Sequence, residues 1–227
     1  MNPILKALLG AMLSLLVVSA ARADGNTRSL TVTHEVLGLV EILAPATEPA
    51  RFVIFISDKD GLTAERRSEA AKLVGRGAAV AMIDLPKLKA TFAKRTDDTC
   101  YYVFGELEDL ARMAQRELKI EDWQWPVLLG IGEGGTLAYL SLAQAPSNTA
   151  GGAVSVGFAP VFPGTTPLCA GAEEVSRSHG IIAYAAKEDL PAPWVLVLAS
   201  APSEIDKTFS TSADETSFKV VEGSEAA

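Results

Sequence analysis

Histidine and cysteine are scarce in this chain of 227 residues, which holds two of each. Cys100 and Cys169 form no C-x-x-C pair, and only His34 and His179 could join them. A zinc set is therefore excluded, and no metal or cofactor is expected. Basic charge is also short: 20 Lys and Arg against 28 Asp and Glu leave a formal net charge of −8. Nucleic acid binding draws its affinity mainly from neutralising phosphates, so a nucleic acid partner is not expected. No internal repeat, low-complexity tract or linker breaks the chain, and after residue 23 no apolar run is long enough to cross a bilayer.

What is present begins with a leader. Met1 to Ala23 carries Lys6, an apolar stretch from Ala7 to about Ala20, and Ala21-Arg22-Ala23 ahead of Asp24. A charged start, an apolar stretch too short to span and an A-x-A site describe a cleaved signal peptide. The expected arrangement is residues 1–23 as signal and 24–227 as a single domain, of net charge −10 once Lys6 and Arg22 are lost. Export puts the two cysteines in an oxidising compartment, where a disulfide is the default. Closing a loop of that length stabilises a fold by at most about 4 kcal/mol.

Short apolar runs alternate with helical patterns. The expected strands are Leu30 to Val36, Gly38 to Leu43, Phe52 to Ser57, Ala78 to Ile83, Val127 to Ile131, Gly152 to Phe158, Ile181 to Ala185, Trp194 to Ala199 and Phe218 to Val221. The expected helices are Ala64 to Gly75, Pro86 to Lys94, Phe104 to Lys119 and Gly134 to Ala145, the last uncharged and buried. Two early strands followed by alternation predict an α/β fold, with a mostly parallel sheet opened by a hairpin and helices on both faces. Ser210 to Ser217 is polar and acidic and is expected to form a loop.

The segment Gly130-Ile131-Gly132-Glu133-Gly134 has the frame of a nucleophile elbow, G-x-S-x-G, with glycine where serine belongs. Gly130 and Gly134 are the small residues that such a tight turn needs, and Gly132 tolerates its strained backbone. With Gly135 the segment also matches the dinucleotide fingerprint G-x-G-x-x-G. That reading needs an acidic residue about 20 positions on, whereas none occurs between Glu133 and Glu173. Glu133 is a conceivable replacement nucleophile or base, against the simpler role of a carboxylate at a helix N-terminus.

A working elbow needs a histidine after the last strand, and here the chain reads Ser224-Glu225-Ala226 instead. His34 falls in the first hairpin. His179 precedes the strand at Ile181 and is expected at the sheet edge opposite the site, if that strand is parallel. Glu204 and Asp206 are the weak candidates for a triad acid, and Asp58 and Asp60 complete the available carboxylates. Loss of both nucleophile and base leaves no ordinary route for acyl transfer.

Ile83-Asp84-Leu85-Pro86, Asp97-Asp98-Thr99-Cys100-Tyr101, Gly105 to Leu110, the elbow with Thr136-Leu137-Ala138-Tyr139, Gly157-Phe158-Ala159-Pro160 and Pro167-Leu168-Cys169 together resemble the bacterial VirJ/AcvB virulence-protein family. The resemblance is closest to the N-terminal half of the two-domain AcvB-type members. It implies a periplasmic α/β-hydrolase-like domain, in a family linked to type IV secretion and to hydrolysis of lysyl-phosphatidylglycerol. It places both Cys100 and Cys169 at family positions. Active-looking members carry serine at the position of Gly132 and a histidine near the last strand, so the resemblance extends to fold and compartment and not to activity.

A basic cluster, Lys87, Lys89, Lys94 and Arg95, follows the strand Ala78 to Ile83 and would cap the carboxyl edge of the sheet, where α/β proteins bind ligands. It is a candidate site for an anionic phospholipid headgroup or a phosphate, or else a solvated helix face. Three functions follow. The first is a non-catalytic domain that binds an anionic lipid or a periplasmic secretion protein. The second is an ester hydrolase working through Glu133 and another carboxylate. The third is one half of a larger two-domain enzyme. An open apolar pocket beside Gly132 would favour lipid binding, and a filled one a supporting role.

Overall fold

A computed structural model describes residues 27–95, 99–169, 171–210 and 216–220, the last five as backbone only. The leader, Asp97-Asp98 and the C-terminal Ser224-Glu225-Ala226 lie outside the described residues.

The apolar runs without alternation form the middle of the sheet, where helices cover both faces. β3 (Arg51–Ile56) and β4 (Ala78–Ile83) are buried along almost their whole length. β1 (Thr27–His34) and β2 (Gly38–Pro45) form the opening hairpin, and β2 lies antiparallel to β4. The remaining strands continue in parallel from β4 and β3 through β5 (Val127–Ile131), β6 (Gly152–Val156), β10 (Trp194–Leu198) and β11 (Thr216–Val220). The order β1-β2-β4-β3-β5-β6-β10-β11 is the mostly parallel, hairpin-opened sheet that the sequence predicts.

Each helix starts where a polar cap or a proline permits. Thr63 caps α1 (Ala64–Val74) by accepting the Arg66 N–H. Asp84 does the same for α2 (Leu85–Phe92) through the Lys87 N–H, with Pro86 in the first turn. Tyr102 gives α3 (Val103–Leu118) no side-chain cap. Gln144 supplies one from α4 (Glu133–Gln144): its Oε1 accepts the N–H groups of Val103 and Phe104, while its Nε2 donates to the carbonyls of Tyr101 and Cys169. α3 shows an apolar stripe at Val103, Leu107, Leu110, Ala114 and Leu118. α4 is buried from Gly134 to Gln144, as expected of a central helix. Behind it, Tyr139 meets Phe158, Trp194 and Phe209 at ring separations of 4.5 to 5.3 Å, which anchors α5 (Glu204–Ser210) on the body of the fold.

The structure departs from expectation after β6. Ile181 to Tyr184 (β9) is not in the main sheet; it pairs antiparallel with β7 (Val161–Pro163) and β8 (Glu174–Ser178) in a separate small sheet. β8 is polar and wholly exposed, so no hydrophobic pattern marks it. His179 and Gly180 form the tight turn between β8 and β9, both with positive φ, as a two-residue hairpin requires. His179 is thus not at the amino edge of the parallel sheet. The expected loop from Ser210 also shifts: α5 reaches Ser210 and β11 begins at Thr216.

His34 is 4 % exposed and closes the first hairpin, its Nδ1 accepting the N–H groups of Val36 and Leu37. The ring proton therefore sits on Nε2, which faces Asp109 at 3.4 Å and Glu106 at 3.8 Å. His34→Ala is expected to cost about 2 kcal/mol in urea unfolding, because two buried amides lose their acceptor.

Candidate functional site

β5 ends at Ile131 and the chain turns into α4 through Gly132, at φ 55° and ψ −122°. The turn is as tight as an elbow demands. A β-carbon on Gly130 would stand 2.6 Å from the Gly135 nitrogen, and one on Gly134 2.6 Å from the Ile56 carbonyl oxygen. The Gly132 N–H donates to the Val156 carbonyl at 2.8 Å, which pins the turn to β6. Ser155 braces it from behind, donating to the Gly135 carbonyl and accepting from the Trp194 indole.

The place of the missing nucleophile is not empty. A β-carbon on Gly132 would stand 2.5 Å from Cγ and 2.6 Å from Oδ2 of Asp58, a residue in the loop between β3 and α1. Asp58 Oδ1 accepts the Glu133 N–H at 3.1 Å and the Lys59 N–H at 2.7 Å. These are the two positions that bind the oxyanion in an α/β-hydrolase: the amide after the nucleophile, and an amide from the loop following the equivalent strand. An acidic side chain of the protein therefore lies where a transition-state oxyanion would be stabilised. Asp60 is exposed in the same loop.

Glu133 is engaged elsewhere. Its carboxylate pairs with Lys89 Nζ at 2.8 Å, joining the first turn of α4 to α2. The basic residues do not converge: Lys87 is paired with its own helix cap, Asp84, at 3.5 Å, Lys94 is exposed, and Arg95 faces Glu106 on α3 at 3.8 Å. Glu204 pairs with Lys207 at 2.6 Å, and Asp206 accepts the N–H and hydroxyl of Ser203 at 2.7 Å. Both acid candidates thus serve the local structure of α5. His34 contacts α3 and its own turn, while His179 Nδ1 lies 2.6 Å from Ser178 Oγ. Neither histidine has a hydrogen bond or ion pair to the elbow among the described residues.

Beside the elbow, across the Lys89–Glu133 pair, a cleft of about 390 Å³ opens between α2 and the small sheet. Phe92 and Tyr101 stack at 4.2 Å along one wall, Phe162 and Leu168 line the other, and Lys89 Nζ lies 5.8 Å from the centre of the Phe162 ring. The Cys100–Cys169 disulfide joins the two walls, aided by a bridge between Tyr101 and Leu168. Burial holds the Tyr184 phenol above its ordinary range, and its oxygen accepts the Leu168 N–H. A larger groove along residues 171–173 and 185–189 is lined by small and charged residues and touches no elbow residue. The space directly above Gly132 holds the Asp58 carboxylate, whereas the apolar cleft reaches the elbow only through the Lys89–Glu133 pair.

No family model matches the chain, and no curated protein matches it by sequence. Solved structures do match. A Klebsiella pneumoniae subsp. pneumoniae MGH 78578 protein described as a dienelactone hydrolase aligns over 86 % of both chains, with TM-score 0.58 and 17 % identity. Dienelactone hydrolase from Anabaena variabilis ATCC 29413 aligns over 86 % of this chain and 83 % of its own, with TM-score 0.53 and 16 % identity. Pyrococcus horikoshii acylaminoacyl peptidase covers 88 % of this chain with 37 % of its own length, TM-score 0.55 and 10 % identity. At these identities the likeness is one of architecture. The chain has a dienelactone hydrolase-like α/β-hydrolase fold, with Gly132 at the turn from β5 into α4.

Proposed function

We propose that this protein is a non-catalytic α/β-hydrolase relative of the VirJ/AcvB type, exported to the periplasm, where it binds an anionic ligand or a secretion partner instead of turning over an ester. One observation carries the reading: Asp58 lies where a nucleophile would project, on both amides of the oxyanion hole. A substrate carbonyl could not use those amides without displacing a carboxylate, and no serine stands beneath it. The leader supports export, and the disulfide fits an oxidising compartment.

The test is hydrolysis by the purified mature protein of p-nitrophenyl acetate, p-nitrophenyl butyrate and lysyl-phosphatidylglycerol. Product formation should not exceed that of heat-denatured protein. Turnover that disappears in Asp58→Asn or Glu133→Gln would overturn the proposal in favour of a carboxylate-based hydrolase.

A further inference from the structure

The cleft between α2 and the small sheet has the properties of a ligand site in its own right. Its volume of about 390 Å³ lies within the ordinary range for small-molecule pockets. Its walls are aromatic and aliphatic, and they are held in register by a covalent bond between Cys100 and Cys169. A cleft braced in this way needs little ordering when a ligand enters, which favours affinity. The Tyr101 hydroxyl is satisfied by the Phe92 carbonyl, so it adds no unpartnered polar group to the cleft that Tyr101 lines.

Among the described residues, the charged group lining the cleft is Lys89, whose side chain is 30 % exposed. Its ammonium faces both Glu133 and the cleft, 5.8 Å from the centre of the Phe162 ring. Charge complementarity therefore favours an anion at the Lys89 end and an uncharged chain along the rings.

We infer that this cleft binds a single-chain anionic amphiphile, with its carboxylate or phosphate on Lys89 and its alkyl chain between Phe92, Tyr101, Phe162 and Leu168. The inference rests on the binding role proposed above and supplies its ligand class. The headgroup shares Lys89 with Glu133, and the chain takes the apolar walls out of water.

Calorimetric titration of the mature, oxidised protein with decanoate and with lyso-phosphatidylglycerol, both below their micellar concentrations, tests it and separates a fatty acid from a phospholipid source. Saturable one-to-one binding of either is expected, with decanol at least tenfold weaker. Lys89→Gln should weaken the anion by about tenfold and leave decanol unchanged. Ala90→Trp, at an exposed position of α2 that lines the cleft, should block both without touching the core. No saturable binding, binding that Ala90→Trp leaves intact, or equal affinity for decyltrimethylammonium would overturn the inference. Those failures would leave the absence of ester turnover standing, whereas turnover accompanied by normal decanoate binding would overturn only the non-catalytic reading.

Discussion

Gly132→Ser is expected to lower stability by about 2–4 kcal/mol and to create no hydrolase. Serine at φ 55° carries a backbone strain of about 1–3 kcal/mol. Its β-carbon would also meet the Asp58 carboxylate, with 2.5 Å to Cγ, so Asp58 must leave the Lys59 and Glu133 amides that hold it. The two positions should therefore couple. Combining Gly132→Ser with Asp58→Ala is expected to recover about 1–2 kcal/mol relative to the sum of the single changes. Guanidinium unfolding of the four proteins measures that coupling, and strict additivity would mean that Asp58 does not occupy the nucleophile's space. Labelling of either serine variant by a fluorophosphonate probe should stay at the level of the parent protein, because among the described residues neither His34 nor His179 is bonded to the elbow to take the serine proton.

Removal of the disulfide is the second large effect expected. Cys100 and Cys169 are 69 residues apart, and closing a loop of that size stabilises the folded state by about 4 kcal/mol in the chain-entropy model. For a domain of this size the loss corresponds to roughly 10 °C in melting temperature. Cys100→Ala with Cys169→Ala, compared with the parent under a phosphine reductant, should melt at the same lowered temperature as the reduced parent. A reductant-insensitive parent would show that the bond contributes little. The same variant should lose decanoate affinity, since the bond joins the wall carrying Tyr101 to the wall carrying Leu168. The Gln144 amide reaches both Tyr101 and Cys169, so some of the arrangement persists without the bond.

The placement of function in this fold follows from its connections. α2 leaves the carboxyl end of β4, the small sheet follows β6, and the elbow joins β5 to α4, so all three meet at the edge where parallel sheets gather ligands. Glycine at position 132 is compatible with a tight turn, because the constraints on Gly130 and Gly134 come from backbone atoms. The Lys59 and Glu133 amides at this turn bind one of the protein's own carboxylates.

The strand Ala78 to Ile83 was legible to the residue, because burial on both faces leaves an uninterrupted apolar run with clear ends. The elbow was legible for a related reason: glycines at fixed offsets between a strand and an uncharged helix report a local steric need. β8 was not, since Glu174-Val175-Ser176-Arg177-Ser178 is exposed throughout and pairs through backbone hydrogen bonds that no side-chain period records. Without β8, the strand at Ile181 could be assigned only to the main sheet, and His179 was misplaced with it.

Sequence by itself determined that glycine stands where the elbow frame has serine, and that acidic residues outnumber basic ones. It also determined the alternation that makes an α/β sheet, because hydrophobic period is a local property of the chain. Only the tertiary structure decided what the elbow holds. Asp58 and Glu133 are 75 residues apart, and Lys89 and Glu133 are 44 apart. Such pairings depend on how strands are ordered and where loops end in space, and no local pattern encodes either. The elbow's empty position in the sequence is thus an occupied one in the fold, filled by a carboxylate from a different loop.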